Sequence, residues 1–247
     1  GMLRHDMFAF VFRLMFLSAT LLTCLLSVDF PQVGRMGEYY TLLLVATIGM
    51  NLMAGANDLV MLYVALETSS ISQYALAGML RGDTRSAEAG IKYFLFGSAS
   101  SAVMLYGLSL LYGLAGSTGF AQVFTALETA AALPAQLAPL LAAIVLVLVG
   151  FGFKISAVPF HFWTPDVYEG APAPVTGFIS VASKAAGFAV LLRVFLTVFN
   201  VPLLYDKWWA MMWAIAAVTM TLGNLLALQQ HNIKRLLAYS SIAQAGY

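Results

Sequence analysis

The chain has 247 residues, 61% of them hydrophobic and only 9% charged, with a formal net charge of +1. A soluble domain carries roughly 25% charged residues, so one aqueous core cannot hide this much apolar surface and the surrounding solvent is read as lipid. The near-neutral balance supplies no basic face for nucleic acid. The single cysteine, Cys24, excludes an intramolecular disulfide and a cysteine-based zinc or iron–sulfur site. The histidines are dispersed, and no glycine-rich phosphate loop, nucleophile elbow or HExxH helix occurs. Any catalysis is therefore not self-contained redox or hydrolytic chemistry.

A spanning helix needs about 20 largely apolar residues. Eight stretches qualify: 7–28, 38–56, 58–80, 86–114, 138–158, 172–199, 207–230 and 233–247. The first follows Arg4 and ends in "LLTC", a weak echo of a lipoprotein cleavage site. Arg13 interrupts it and further apolar runs follow, so it reads as a membrane helix and not as a signal peptide. The last is still apolar where the chain stops at Tyr247. Connections are short except for 159–171 and 115–137, the latter holding an amphipathic stretch, 120–132, expected to lie along the interface. Arg35, Arg81, Arg85, Lys234 and Arg235 collect on one side, against Arg4 and Lys207 on the other. The excess places the first side in the cytoplasm and the N-terminus outside. The expected fold class is all-α: a polytopic transmembrane helical bundle.

Glu67, Lys92, Lys154 and Lys184 fall within these spans, with Arg193 toward an end. A charge at a helix centre costs about 2.5–3.5 kcal/mol, so four would cost on the order of 10 kcal/mol. Pairing, hydration or neutralisation must offset that. Groups held between the effect of burial and the pull of an opposite charge are suited to relaying protons. Glu67 lies near mid-membrane among Thr68, Ser69, Ser70 and Ser72, as a relay acid or as a pin between helices. Lys92 is nearer a helix start and has a snorkelling alternative. Lys184, in "SVASKAAG", sits near the middle of its span among small residues and has no easy way to snorkel. Arg193, about two turns from its helix end, is expected to snorkel.

The stretch "GFGFKISAVPFHFWTPDVYEGAPAPVTG", 150–177, interrupts the apolar pattern. Gly150 and Gly152 precede Lys154 and Pro159 follows it, so the helix is expected to break or unwind here. Irregular backbone at membrane depth is tolerated only when buried in protein or lining water, and discontinuous helices mark ion sites in transporters. His161 follows closely, as a structural residue or as a second relay group. Asp166 and Glu169 read as interfacial and structural. One short pattern recurs: "SSISQ" at 69–73 returns as "SSIAQ" at 240–244, an offset of 240 − 69 = 171. On the topology above the two host helices run in opposite directions, as an inverted repeat requires. Glu67 maps onto Ala238, so the acid is not repeated.

Together, "LETSSISQYAL", "AGIKYFLFGSASSAVMLYG", the segment 150–187 and "HNIKRLLAYSSIAQAGY" resemble the subunit N family of proton-pumping NADH–quinone oxidoreductase, respiratory complex I. The resemblance implies a membrane-arm subunit related to cation/proton antiporters, built on two inverted five-helix repeats, each with a broken helix. It implies a proton relay of Glu67, Lys92, Lys154, His161 and Lys184, with Glu67 and Lys154 as a switchable ion pair and Lys184 as the central group. It divides the chain into a leading helix and loop (1–37), a first repeat with its break near 150–160 (38–199), and the start of a second repeat (200–247). The chain begins about two helices into the family pattern and stops early in the second repeat, so it resembles a piece truncated at both ends. No cofactor is expected in this chain. NADH, FMN, iron–sulfur clusters and quinone are expected in partner subunits. The implied partners are other membrane-arm subunits, the lipid bilayer and the transported proton, with a bacterial inner membrane as location. Two other classes stay open: a stand-alone or multisubunit Na⁺(K⁺)/H⁺ antiporter subunit, and a structural spacer in which the charges only specify packing. The loop "TPDVYEGAPAPVT" departs from the "LPDAHxEAPT" usual in the related L and M subunits, which favours N.

Overall fold

Helix boundaries follow the capping residues that the sequence supplies. The computed structural model describes residues 1–247. Asp6 opens α1 (Met7–Val28), its carboxylate accepting from the Ala9 amide at 2.8 Å. After α2 (Gly37–Gly55), Asp58 caps α3 (Leu59–Ala77) and Asp83 caps α4 (Thr84–Ala115) in the same way. The amphipathic α5 (Phe120–Ala131) is followed by α6 (Pro134–Ile155), with proline at its first turn. Then come α7 (Trp163–Gly170) and α8 (Ala173–Phe178), a π-helical turn (Ile179–Ser183), α9 (Lys184–Thr197), α10 (Pro202–Leu228), and α11 (Ile233–Gly246) capped by Asn232.

The fold is all-helical. Five helical stretches are long and apolar enough to cross a membrane: Met7–Val28, Thr84–Ala115, Pro134–Ile155, Ala173–Thr197 and Pro202–Leu228. The other three stretches expected from hydropathy correspond to α2, α3 and α11, which are shorter or more polar. Much of α3's polar sequence is buried, including Ser69, Ser70, Ser72 and Gln73, so its polarity is spent inside the bundle. The backbones of α2 and α3 meet at Gly49, where a Cβ would stand 2.5 Å from the Ser69 amide nitrogen. Only glycine permits that approach.

The end of α6 differs from the sequence expectation by a few residues. The helix stops at Ile155, ahead of Pro159, because Ser156 adopts a left-handed conformation with φ 64°. The Ser156 amide donates to the Phe153 carbonyl at 3.1 Å and the Ala157 amide to the Gly152 carbonyl at 2.8 Å, the pairing of a Schellman cap. The Val158 amide donates to Thr219 Oγ1 at 3.1 Å, and Trp163 Nε1 donates to the Phe153 carbonyl at 3.2 Å. The Gly152 and Phe153 carbonyls and the Ser156, Ala157 and Val158 amides thus meet protein partners, which helps a helix to end away from water. Trp163 stacks on Tyr93 at 4.3 Å and closes the site from one side.

Arg193 does not snorkel. Its side chain is 5% exposed and clamps Asp6 with two hydrogen bonds of 2.9 and 3.1 Å, while Nε donates to the Ala54 carbonyl at 2.8 Å. The Arg193 guanidinium, chiefly, holds the Asp6 carboxyl down at about 2. A depressed carboxylate contributes stability that is full above its ordinary value and lost as pH falls through the lowered one. Asp6→Asn strands a buried guanidinium and is expected to cost about 2–3 kcal/mol. Thermal denaturation of the solubilised protein checks this. The double variant Asp6→Asn/Arg193→Met should recover most of the loss, and an equally unstable double variant would refute the pairing argument.

Candidate functional site

Two lysines lie inside the bundle with no carboxylate in ion-pair contact. Lys154, at the last turn of α6, is 2% exposed. Its Nζ donates to Ser70 Oγ at 3.1 Å and to Gln73 Oε1 at 3.4 Å, both on α3. Its stem packs beside Gly187 of α9, where a Cβ would come within 3.1 Å of Lys154 Cγ. Lys184, at the first turn of α9, is 6% exposed. Its Nζ donates to the Ser241 carbonyl at 2.9 Å and to Ser241 Oγ at 2.7 Å, both on α11. It also lies 5.9 Å from the centre of the Tyr168 ring. Neither ammonium has a carboxylate within 4.0 Å.

One carboxamide joins the surroundings of the two lysines. Gln73 Oε1 accepts from Ser183 Oγ at 2.8 Å and from Tyr93 Oη at 3.0 Å, besides Lys154. Ser183 is the residue before Lys184, at the end of the π turn. Gln73 Nε2 donates to Ser69 Oγ at 2.8 Å. A continuous polar strip therefore runs from Ser69 through Gln73 to the start of α9.

Glu67, also on α3, is half-buried and faces α4. Ser101 Oγ donates to its carboxylate and lies 3.1 Å from Tyr63 Oη. No ion pair joins Glu67 to Lys154; neutral groups hold each of them. His161 is buried beside Phe162, and its Nδ1 has no hydrogen-bond partner.

Lys92 lies apart from this strip. A 32-residue helix such as α4 is about 48 Å long, well beyond a hydrocarbon core of about 30 Å, so a residue about two turns in still reaches the rim. There Lys92 pairs with Glu88 at 2.6 Å and with Asp166 of α7 at 2.5 Å. Asp166 also binds Arg235 of α11 at 2.6 Å, and Arg235 reaches Glu169 at 3.0 Å. These pairs tie α4, α7 and α11 together around a polar cavity of about 160 Å³. Sequence reasoning named Lys154 and Lys184, which the structure buries, and Glu67, which it half-buries, but missed Ser70, Gln73, Ser101, Ser183 and Ser241. The one available signal for three of these was the recurrence of SSISQ as SSIAQ.

The model that defines the NADH:quinone oxidoreductase/Mrp antiporter transmembrane family matches residues 56–247. The chain belongs to this family. NADH-quinone oxidoreductase subunit N of Moorella thermoacetica is 52% identical over 98% of this chain and 50% of its own length. The subunit N of Desulfitobacterium hafniense is 51% identical over 100% of this chain and 49% of its own length. Among solved structures, a chain of respiratory complex I from Thermus thermophilus, with bound aureothin, superposes with a TM-score of 0.82 at 41% identity. That match covers 100% of this chain and 51% of that one. The chain spans about half the length of the curated relatives it matches. Membership of this family, together with the five apolar helices, makes it an integral membrane protein.

The Asp166 cluster generates a pH prediction for this family member. Burial pushes the Asp166 carboxyl up, but hydrogen bonds from Lys92 and Arg235 outweigh it and hold the group below its ordinary value. Its stabilising contribution is therefore full above the ordinary carboxylate range and lost as pH falls below about 4. Asp166→Asn is expected to cost about 1 kcal/mol at neutral pH, the pairs being partly solvated. The thermal midpoint of the variant should fall less steeply on acidification than that of the wild type. Identical acid slopes would show that the cluster does not govern this transition.

Proposed function

We propose that this chain is part of a membrane-arm subunit, of the N type, of a proton-translocating NADH–quinone oxidoreductase. The observation that carries the reading is the pair of buried lysines, Lys154 and Lys184, held by hydroxyl, amide and carbonyl groups without a carboxylate. An ammonium buried this way keeps or releases its proton at a small difference in free energy, which is what a relay needs. About 50% identity to curated subunit N chains supports the placement in complex I.

In this reading Lys184 is the central relay. Glu67 and Lys154 form a switch that closes into an ion pair in one state and opens into the neutral contacts described above in another. Quinone reduction elsewhere in the complex biases that switch and so alters the proton affinity of Lys184. His161, with a free ring nitrogen, extends the path, and Lys92 lies at its rim. Moving one charge against 100 mV requires about 2.3 kcal/mol, which the redox chemistry of partner subunits supplies. NADH, FMN, the iron–sulfur clusters and quinone are assigned to those partners. The chain contributes about eight spans: 1–37 as a leading helix and loop, 38–199 as a first repeat, and 200–247 as the start of a second. The interruption between α6 and α7 is the broken helix of the first repeat. The N-terminus lies outside a bacterial cell membrane.

A stand-alone Na⁺(K⁺)/H⁺ antiporter is the second reading, since the matching family also includes Mrp antiporters. The test uses the complete subunit in its assembled complex. Lys184→Ala is expected to impair NADH–quinone turnover and proton uptake into sealed vesicles while assembly stays normal. Unchanged turnover and pumping would remove Lys184 from the relay. Cation-driven proton movement by the isolated full-length subunit would favour the antiporter instead.

A further inference from the structure

The recurrence of SSISQ as SSIAQ has a physical counterpart in the side-chain contacts. Ser70 and Ser241 are separated by 241 − 70 = 171 positions, the offset of the repeated pentapeptide. Each accepts a hydrogen bond from a buried lysine that belongs to another helix: Lys154 of α6 reaches Ser70, and Lys184 of α9 reaches Ser241. Hydroxyls in apolar helices ordinarily donate to the carbonyl one turn back, as Thr20, Thr23, Thr47, Thr68 and Ser72 do here. Ser70 and Ser241 make no such bond. Their lone pairs face an ammonium, a group with three donors and no acceptor.

We propose that the two Ser-Ser-Ile-x-Gln segments are equivalent lysine holders, Ser70 for Lys154 and Ser241 for Lys184, and that Ser241 is the positioning residue of Lys184. The second part rests on the reading of Lys184 as a relay.

The two holders are not equally redundant. Lys154 has a second side-chain acceptor in Gln73. The residue equivalent to Gln73 is Gln244, at 73 + 171, and it is exposed with no bond to Lys184. Ser241 is thus the one side chain that accepts from Lys184, assisted by its own carbonyl. It also borders a cavity of about 530 Å³ lined by Thr176, Ser180, Ser240 and Gln244, so an added methyl has space. Threonine there keeps the oxygen, whereas alanine removes it.

The test uses the complete subunit in the assembled complex, reconstituted in sealed vesicles, with proton uptake scored per assembled complex. Ser241→Ala is expected to lower NADH-driven proton uptake about tenfold, the worth of one hydrogen bond to a charged group. Ser241→Thr should restore most of it, and Ser70→Ala should cost only about twofold because Gln73 remains as an acceptor. Uptake at the wild-type rate in Ser241→Ala, or a threonine variant no better than alanine, overturns the positioning role. Lys184→Ala, run beside them, separates the two levels. If it abolishes uptake while Ser241→Ala does not, this inference alone falls; if it pumps as the wild type does, the relay reading falls and takes the inference with it.

Discussion

An ammonium group in an apolar bundle dictates much of this architecture. Removing it from water without a counter-charge costs several kcal/mol, so every nearby polar atom must be recruited. Lys154 explains why α3 is too polar to read as an ordinary lipid-facing helix: its Ser70 and Gln73 are the acceptors. It also accounts for Gly187, whose missing side chain leaves room for the lysine stem. The early stop of α6 is part of the same arrangement. Trp163 and Thr219 bind two of the backbone groups freed beside the lysine, the Phe153 carbonyl and the Val158 amide.

The charges of the chain sort into two kinds by their partners. Arg193 with Asp6, and Arg235 with Asp166 and Glu169, are matched to carboxylates in hydrogen-bond geometry. Removing Asp6 leaves the buried Arg193 guanidinium with a desolvation penalty, whereas the Arg235 pairs are partly solvated and weaker; both sets of contacts link separate helices. Lys154, Lys184 and Glu67 have only neutral partners. Neutral acceptors stabilise the ion less than a carboxylate does, and their hydroxyls can also donate once the amine is uncharged. The matched pairs thus frame a second set of groups that have no ion-pair partner.

How far this was legible in the sequence depended on the range of each interaction. Depth within a hydrophobic run is local, and it singled out Lys154 and Lys184, which are buried in the bundle, and Glu67, which is half-buried. Arg193 read as a snorkelling side chain because its partner, Asp6, lies 187 positions away and no local pattern announces the pair. Lys92, read from sequence either as a relay group or as a snorkelling side chain, is partly exposed and paired with Glu88 and Asp166, partners that hydropathy does not reveal. The serines were invisible for a different reason. A hydroxyl in an apolar helix is ordinarily satisfied by its own backbone, so its presence alone carries no functional information. Only the recurrence of the pentapeptide distinguished Ser70 and Ser241 from the rest.

The link between the two lysines has a limited chemical character. The Gln73 carbonyl oxygen has two lone pairs but three donors, and the lysine contact, at 3.4 Å, is the longest of the three. Tyr93 and Ser183 hold the better positions, so the Lys154 contact is the first to yield when the charge on that amine changes. An amide does not readily take up and release a proton, so this junction is poorly suited to passing one directly from Lys154 toward Lys184. What it can transmit is position: a shift of the Gln73 carboxamide is felt by Ser183, and through the backbone by Lys184 in the next residue. The π turn that ends at Ser183 is a segment of irregular helix in which such a shift costs little. Gln73 thus ties the surroundings of the two lysines together structurally without itself offering a route for a proton between them.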